Sequence, residues 1–241
     1  MNRFQVVKFS TPDELAHEVA KLWLQELAQS AAAKRPHFVA LSGGRITLRF
    51  FAEVIQQSPA FQLSWRDVHF FWADERCVPP DDPESSYGVA RAKFFQPLGL
   101  ADAQIHRVRG ELAPTQAAVQ AEAELKQLVP QNVAGQPTLD LIFLGMGEDG
   151  HVASLFPRET ESERNDPAIY RVIENSPKPP PTRVTLGYPA ICAARQVWVL
   201  ASGSGKEAAL RESLMTMGTT PLARVLQQRA PTRIFTELPT P

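Results

Sequence analysis

The stretch LDLIFLGMGEDGH, residues 139–151, decides the predicted fold. Its first half, 139–144, has the apolar character of a strand buried on both faces, as in the centre of a parallel sheet. Its second half places glycines, an aspartate and a histidine directly after that strand. Because ligands of open α/β sheets bind beyond the carboxyl ends of the strands, this segment predicts both a fold class and a site.

On either side of this stretch, short apolar runs alternate with longer amphipathic ones, which is the pattern of βα units. The predicted strands are 4–9, 37–41, 68–73, 139–144 and 197–201. The predicted helices are 11–33, 45–57, 87–95, 117–128 and 207–217. We therefore expect an α/β fold with a doubly wound, mostly parallel sheet, helices on both faces, and a single domain over residues 1–241.

Composition limits the classes of function. The chain has 241 residues, of which 44% are hydrophobic and 21% charged, as in an ordinary globular protein. A formal charge of −1 with scattered Lys and Arg argues against nucleic acid, and no apolar run approaches the ~18 residues of a membrane span. Cys77 and Cys192 form no CxxC pair and fit a reducing compartment, so we expect plain thiols and the cytoplasm.

A glycine loop, Ser42-Gly43-Gly44-Arg45, follows the second predicted strand. Two glycines let backbone N–H groups approach an anion closely, and the amino end of the next helix adds a favourable dipole. The loop is therefore interpreted as an anion cradle, and the alternative is a tight strand-to-helix turn.

Three charged residues, Asp74, Glu75 and Arg76, follow the third predicted strand. An arginine suits an oxyanion and carboxylates suit sugar hydroxyls, so the cluster is interpreted as part of a site. The alternative is that it caps the sheet at the surface.

The segment 145–157 matches GxGxxG in form, but Pro157 ends any following helix within two turns, so a dinucleotide site is not predicted. Its glycines clear space around Asp149 and His151. A histidine between a glycine turn and a predicted short helix, beside a carboxylate, is typical of a general base. The alternative is a structural histidine.

The segment Gly203-Ser204-Gly205-Lys206 is not a P-loop, because Leu200 and Glu207 stand where that motif needs glycine and a hydroxyl residue. Lys206 remains a ligand for one phosphate, and the alternative is a solvated lysine. No HExxH, CxxC or GxSxG motif occurs, so we expect no metal, no covalent intermediate and water as the nucleophile. The consecutive prolines of 176–181 predict an extended loop.

Across nearly the whole chain the sequence resembles the 6-phosphogluconolactonase family. The matching segments are 41–44, 71–76, 85–87, 139–157, 176–186 and 203–206. Related sugar-phosphate isomerases and deaminases share the Asp-Gly-His portion but continue with Asn-Glu-Pro, whereas this chain continues Ser154-Leu155-Phe156-Pro157.

The resemblance implies hydrolysis of 6-phospho-D-glucono-1,5-lactone in the oxidative pentose phosphate pathway, without a cofactor. It implies that His151 activates water, while Asp149 and Asp74 orient the base or fix the sugar. The residues it implies for binding the phosphate or the carboxylate-like end are Ser42, Gly43, Gly44, Arg76, Arg183 and Lys206, to which Arg45 is added as a phosphate ligand by the hypothesis that follows.

One departure from the family pattern concerns the phosphate. The family usually continues its glycine loop with a small hydroxyl residue, Thr and Pro, whereas this chain has Arg45-Ile46-Thr47. Our hypothesis is that the Arg45 guanidinium replaces the lost hydroxyl. A sugar-phosphate sensor without catalysis and a sugar-phosphate isomerase or deaminase stay open as alternatives, and the sequence leaves the oligomeric state open.

Overall fold

The computed structural model describes residues 4–229 and 231–240. Its strands are β1 (Phe4–Lys8), β2 (His37–Leu41), β3 (Val68–Trp72), β4 (Asp74–Arg76), β5 (Leu141–Gly145), β6 (Tyr170–Ile173), β7 (Arg183–Leu186), β8 (Gln196–Ala201) and β9 (Thr232–Thr236). Its α-helices are α1 (Pro12–Ala32), α2 (Arg45–Phe61), α3 (Ser86–Ala90), α4 (Gln96–Leu98), α5 (Pro114–Leu128), α6 (Glu161–Arg164), α7 (Tyr188–Ala193), α8 (Glu207–Leu214) and α9 (Pro221–Gln228).

Six strands form one sheet in the order β1-β9-β8-β5-β2-β3, and every neighbouring pair is parallel. The strand that decided the prediction, β5, lies in the interior of this sheet between β8 and β2. The predicted fold class, a doubly wound α/β fold with a mostly parallel sheet, is confirmed. None of the described helices is long and apolar enough to cross a lipid bilayer.

An aromatic cluster joins the helices to the sheet. Trp23 of α1 packs edge-on against Phe143 of β5, with ring centroids 5.4 Å apart, and Phe50 of α2 lies 4.7 Å from the same ring. Trp23 and Phe50 are almost fully buried. Large aromatic side chains at the helix-sheet interface bury much apolar area, and they fix where α2, and hence the loop before it, lies on the sheet.

A second sheet was missed by the sequence analysis. It has three antiparallel strands in the order β4-β7-β6. The predicted loop 74–76 is strand β4, and Ala73 is the single residue between β3 and β4. Arg183 lies on β7, where it pairs with Arg76 of β4. Each of these strands is only three or four residues long and carries arginine or acidic residues, so none has the apolar run that signals a strand.

Several predicted boundaries are corrected. The central strand starts at Leu141 because the Asp140 carboxylate accepts the Phe38 N–H at 3.0 Å and an Arg35 N–H at 2.7 Å, which ends the apolar run. The predicted helix 87–95 is α3 followed by a π-helix at Arg91–Phe95. The helix predicted to reach 217 ends at Leu214, and α9 and β9 were not predicted.

The proline segment 176–181 is a loop, as predicted, but it is not extended. The Ser176 N–H donates to the Pro181 carbonyl at 2.9 Å, so the segment turns back on itself. The turn carries Lys178 to the carboxyl end of the main sheet, where the candidate site lies.

Candidate active site

A cleft of about 290 Å³ lies beyond the carboxyl ends of β2, β3, β5 and β8. The predicted site residues that line it are Ser42, Gly43, Gly44, Arg45, Asp74, Arg76, His151, Arg183 and Lys206. The remaining predicted residue, Asp149, lies behind His151 and contacts it. The structure therefore brings together at one sheet edge residues that are spread over 165 positions of sequence, from 42 to 206.

His151 and Asp149 form a hydrogen-bonded pair. The Nδ1 atom of His151 lies 2.5 Å from an Asp149 carboxylate oxygen, and the same oxygen accepts the His151 N–H at 3.2 Å. A Cβ on Gly147 would lie 2.0 Å from Nδ1, so this position admits only glycine beneath the ring. Gly150 has φ +77°, and a Cβ there would lie 2.7 Å from Thr220. The turn that positions His151 therefore requires glycine at both 147 and 150.

The pKa values of the pair fit a base and its orienting acid. Burial opposes ionisation of Asp149, but the charge and hydrogen bonds of His151 hold its pKa below the ordinary 3.8. Burial lowers the pKa of His151 below the ordinary 6.5, against the opposing effect of Asp149. Asp149 is therefore an acceptor for Nδ1–H, and Nε2 of the neutral ring keeps a lone pair.

Phe156 forms a wall for both the histidine and an arginine. Its ring centroid lies 4.7 Å from that of His151, and the Arg183 guanidinium lies 5.6 Å from the same ring. The short helix predicted after His151 does not form; instead Val152 and Leu155 pair in a tight turn, with a 2.9 Å hydrogen bond from the Leu155 N–H. This turn, in which Ala153 has φ +49°, places the Phe156 ring against His151.

Asp74 and Arg183 are buried members of the cleft wall. An Asp74 oxygen accepts from the Ser154 hydroxyl at 2.8 Å, and Arg183 donates to the carbonyls of Lys178, Pro179 and Pro180 at 3.1–3.2 Å. Burial, together with the nearby charge of Arg76, lowers the pKa of Arg183. The proline loop thus fixes Arg183, and the positive charge of Arg183 is only partly balanced by Asp74.

Glu75, which the sequence analysis grouped with Asp74 and Arg76, does not line the cleft. Glu75 is 2% exposed, and its carboxylate accepts four hydrogen bonds, from the backbone N–H groups of Arg76, Ser86 and Tyr87 and from the Ser85 hydroxyl. Burial raises its pKa against these bonds. Alternation along β4 explains the correction, because neighbouring side chains of a strand point to opposite faces.

The glycine loop has the geometry of an anion cradle. Gly44 has φ +132° and ψ 163°, a conformation that requires glycine, and it precedes α2 without any side-chain cap. The first N–H groups of a 17-residue helix therefore face the cleft with the positive end of its dipole. Below the loop, the Thr47 hydroxyl donates to the Ser42 carbonyl at 3.1 Å.

Arg45 and Lys206 face each other across the mouth of the cleft. A Cβ on Gly203 would lie 3.8 Å from Arg45 Nη2, so this guanidinium reaches the loop that precedes Lys206. Burial lowers the pKa of Lys206, and the charges of Arg45 and Lys178 lower it further. Within the described part of the chain, the Arg45 guanidinium forms no hydrogen bond or ion pair. Two such cations in close approach favour an anionic ligand between them.

Two charged lining residues were not predicted as site residues, Lys178 and Glu148. The segment holding Lys178 matched the family pattern, and that position in a proline-rich loop was the available signal. With it, five cationic side chains line the cleft against the carboxylates of Asp74 and Glu148. The surplus of positive charge indicates an anionic substrate.

Metal-binding side chains do not gather at the cleft. Over residues 4–229 and 231–240, no group of three or more His, Cys, Asp or Glu side chains could hold a metal ion. The expectations of no metal and no cofactor stay predictions.

Comparison with known proteins agrees with this geometry. Residues 10–234 match the family model described as glucosamine-6-phosphate isomerases/6-phosphogluconolactonase. The chain is 34% identical over 196 residues to the 6-phosphogluconolactonase of Aggregatibacter actinomycetemcomitans, covering 81% of each chain. The solved 6-phosphogluconolactonase of Trypanosoma brucei superposes with a TM-score of 0.84 and 26% identity, over 96% of this chain and 94% of that one.

A rice protein, "Probable 6-phosphogluconolactonase 4, chloroplastic" of Oryza sativa, is 35% identical over 217 residues. The match covers 87% of this chain and 66% of the rice protein, so this chain spans about two thirds of that relative's length. The family predicted from the loops is confirmed by these matches: the chain belongs to the glucosamine-6-phosphate isomerase/6-phosphogluconolactonase family.

Proposed function

We propose that this chain hydrolyses 6-phospho-D-glucono-1,5-lactone to 6-phosphogluconate. The observation that carries the proposal is the His151–Asp149 pair, 2.5 Å apart, at the wall of a cleft with five cations. A phosphorylated lactone needs both features, a base that activates water and positive charge that holds a phosphate. The relatives named 6-phosphogluconolactonase support the same reaction.

The chemical step uses the neutral imidazole. Nε2 of His151 takes a proton from water as the water oxygen attacks the lactone carbonyl carbon, and the carbonyl electrons move onto its oxygen. When the carbonyl re-forms, the bond between that carbon and the ring oxygen breaks, and the ring oxygen receives the proton from Nε2. Asp149 keeps Nδ1 protonated throughout and stabilises the transient imidazolium.

Binding and positioning are assigned to the other walls. The amides at the amino end of α2, the Ser42-Gly43-Gly44 loop, Arg45 and Lys206 hold the phosphate. Arg76 and Arg183 stabilise charge on the carboxylate-like end, where the tetrahedral intermediate develops an oxyanion. Asp74, already bonded to Ser154, accepts a sugar hydroxyl with its second oxygen. Holding the phosphate fixes the carbonyl relative to His151, which lowers the entropy cost of reaction.

Residues 1–241 are proposed to act as one unit in the cytoplasm on a small-molecule phosphosugar lactone. Supporting this, β4 follows β3 after one residue, and the Leu186 N–H donates to the Ala73 carbonyl at 2.7 Å, so the two sheets meet at the cleft. The name of the rice relative, in contrast, assigns that protein to the chloroplast.

The test generates the lactone in situ and follows its disappearance with the wild-type protein, with His151→Ala and without protein. We expect acceleration by the wild type and a loss of about 10²–10⁴-fold in kcat for the variant, the usual contribution of a general base. The no-protein sample is essential because lactones open spontaneously. Wild-type decay at the background rate, together with measurable binding of 6-phosphogluconate, would favour the sensor.

The isomerase or deaminase alternative shares the family description but has no observation of its own at the site. Release of ammonia when the protein is given an amino-sugar phosphate in place of the lactone would favour the deaminase over the lactonase.

A further inference from the structure

A smaller chamber of about 60 Å³ lies beside the cleft, on the other side of the glycine loop. Ser42, Gly43, Gly44 and Arg76 line both spaces, so the two share a wall. The far wall of the chamber is largely apolar and includes Phe51, Trp72 and Val89. A small concave space with an apolar back and a few polar atoms on one side is the usual form of a ligand subsite.

Three polar atoms around this chamber have no partner. The hydroxyls of Ser42 and Ser86 and the Nε of Arg76 are buried and form no hydrogen bond within the described chain. The two serines are only 6% and 7% exposed. A Cβ on Gly43 would lie 2.9 Å from the Ser86 hydroxyl, which places that hydroxyl against the shared wall. Buried donors are normally satisfied, so three around one space point to a ligand that accepts from them.

The charge at the chamber favours an oxyanion. The first turn of α2, including Gly44 and Thr47, contributes the positive end of its dipole, and Arg76 contributes a full charge. Glu84 is the acidic residue of the lining, but its side chain is 56% exposed and its carboxylate lies 3.5 Å from Arg76 Nη1, so it leaves Nε without a partner. Water screens Glu84 more than it screens the buried donors.

We propose that this chamber binds a compact oxyanion, a phosphoryl or carboxylate group, through the Ser42 and Ser86 hydroxyls and Arg76 Nε. Its volume of about 60 Å³ holds about four to six water-sized groups at roughly 10–15 Å³ each, which suits such a group and excludes a sugar ring. The oxyanion is either a free ion or one end of a ligand that also enters the cleft. The chamber shares Ser42 and Arg76 with the proposed lactone site and adds the Ser86 hydroxyl, so the inference concerns binding and is tested separately from lactone hydrolysis.

The test titrates inorganic phosphate calorimetrically into a Lys206→Gln protein, in which the competing cleft site is weakened. Adding Ser86→Ala should weaken phosphate binding about tenfold, the usual loss of one hydrogen bond to a charged ligand. The matched control is Ser58→Ala. Ser58 is another buried serine, its hydroxyl donates to the Ile55 carbonyl, and neither residue lines the chamber. This variant should leave the affinity for phosphate unchanged. Equal phosphate affinity with and without the Ser86 hydroxyl would overturn the proposal.

A crystal structure in phosphate gives the second readout, which does not depend on how the variant folds. Phosphate within hydrogen-bond distance of the Ser86 hydroxyl supports the proposal, and water alone in the chamber overturns it. Adding 6-phosphogluconate then separates the two sources: displacement of the phosphate assigns the site to an end of the cleft ligand, and joint binding assigns it to a free ion. A protein that binds phosphate here but leaves the lactone untouched would refute the proposed function and not this inference.

Discussion

The two sides of the cleft are built differently. On one side the base is fully prearranged: His151 is bonded to Asp149, packed on Phe156 and seated over Gly147. On the other side Arg45 and Lys206 approach each other, and burial together with the charges of Arg45 and Lys178 lowers the pKa of Lys206 against the opposing charges of Glu148 and Glu237. The first side is ready for proton transfer without substrate, whereas the repulsion among the cations of the second side falls further when an anion binds. We therefore expect changes on the first side to reduce kcat and changes on the second to raise KM.

The largest effect should come from Asp149→Asn. An asparagine can present its NH₂ group to Nδ1, which moves the ring proton to Nε2 and removes the base. We expect kcat to fall by about 10²–10⁴-fold with little change in KM. Steady-state kinetics with a background control measures this, and a KM effect larger than the kcat effect would contradict the assignment of the two sides.

The pH dependence of the wild type is part of the same test. Burial lowers the pKa of His151 below 6.5, so the base stays unprotonated at neutral pH, and kcat/KM should fall only as the pH drops through that lowered value. An acid limb centred above pH 6.5 would show that the Asp149 charge outweighs burial.

On the other side, Lys206→Gln should raise KM. The variant keeps a polar side chain, one atom shorter, but loses a cation that faces the phosphate, worth roughly 1.5–3 kcal/mol for a charged hydrogen bond, or about 10- to 100-fold in kcat/KM. The expected drop in kcat is small because the base is untouched. The effect should shrink at high salt, and a salt-independent loss would indicate lost packing instead.

Glu75→Gln should act through Arg76. Glu75 accepts the backbone N–H of Arg76 and holds Ser86 and Tyr87, while the Glu84 carbonyl before them accepts from Arg76 Nη1 at 2.6 Å. All four partners of the Glu75 carboxylate are hydrogen-bond donors, so the NH₂ group of a glutamine would face donors in place of an acceptor. We therefore expect KM to rise about tenfold and the unfolding free energy to fall by about 1–3 kcal/mol. A double-mutant cycle with Arg76→Lys decides the route, because an effect that acts through Arg76 should largely vanish in that background.

These contrasts also show where sequence reasoning succeeds. The strand, the glycine turn and the His151 pair depend on local features, an apolar run followed by glycines, and were predictable within a few residues. The second sheet, the burial of Glu75 and the approach of Lys178 depend on pairings between distant segments: Asp74 pairs with Thr185, and the proline loop turns back on itself. Short strands with alternating charge carry no periodic signal, so only the fold shows which side chains face the cleft.

The smallest expected effect concerns Arg45, where this chain departs from the family pattern. Arg45→Ser would restore a small hydroxyl and remove one of the two facing cations. Because Arg45 is exposed, solvent screens its charge, and we expect KM to rise only a few-fold. The loss of Arg45 should also raise the pKa of Lys206, since Arg45 is one of the charges that lower it. A variant that binds 6-phosphogluconate as tightly as the wild type would refute compensation by Arg45; a clear loss would show that the guanidinium has taken over the role of the missing hydroxyl at the amino end of α2.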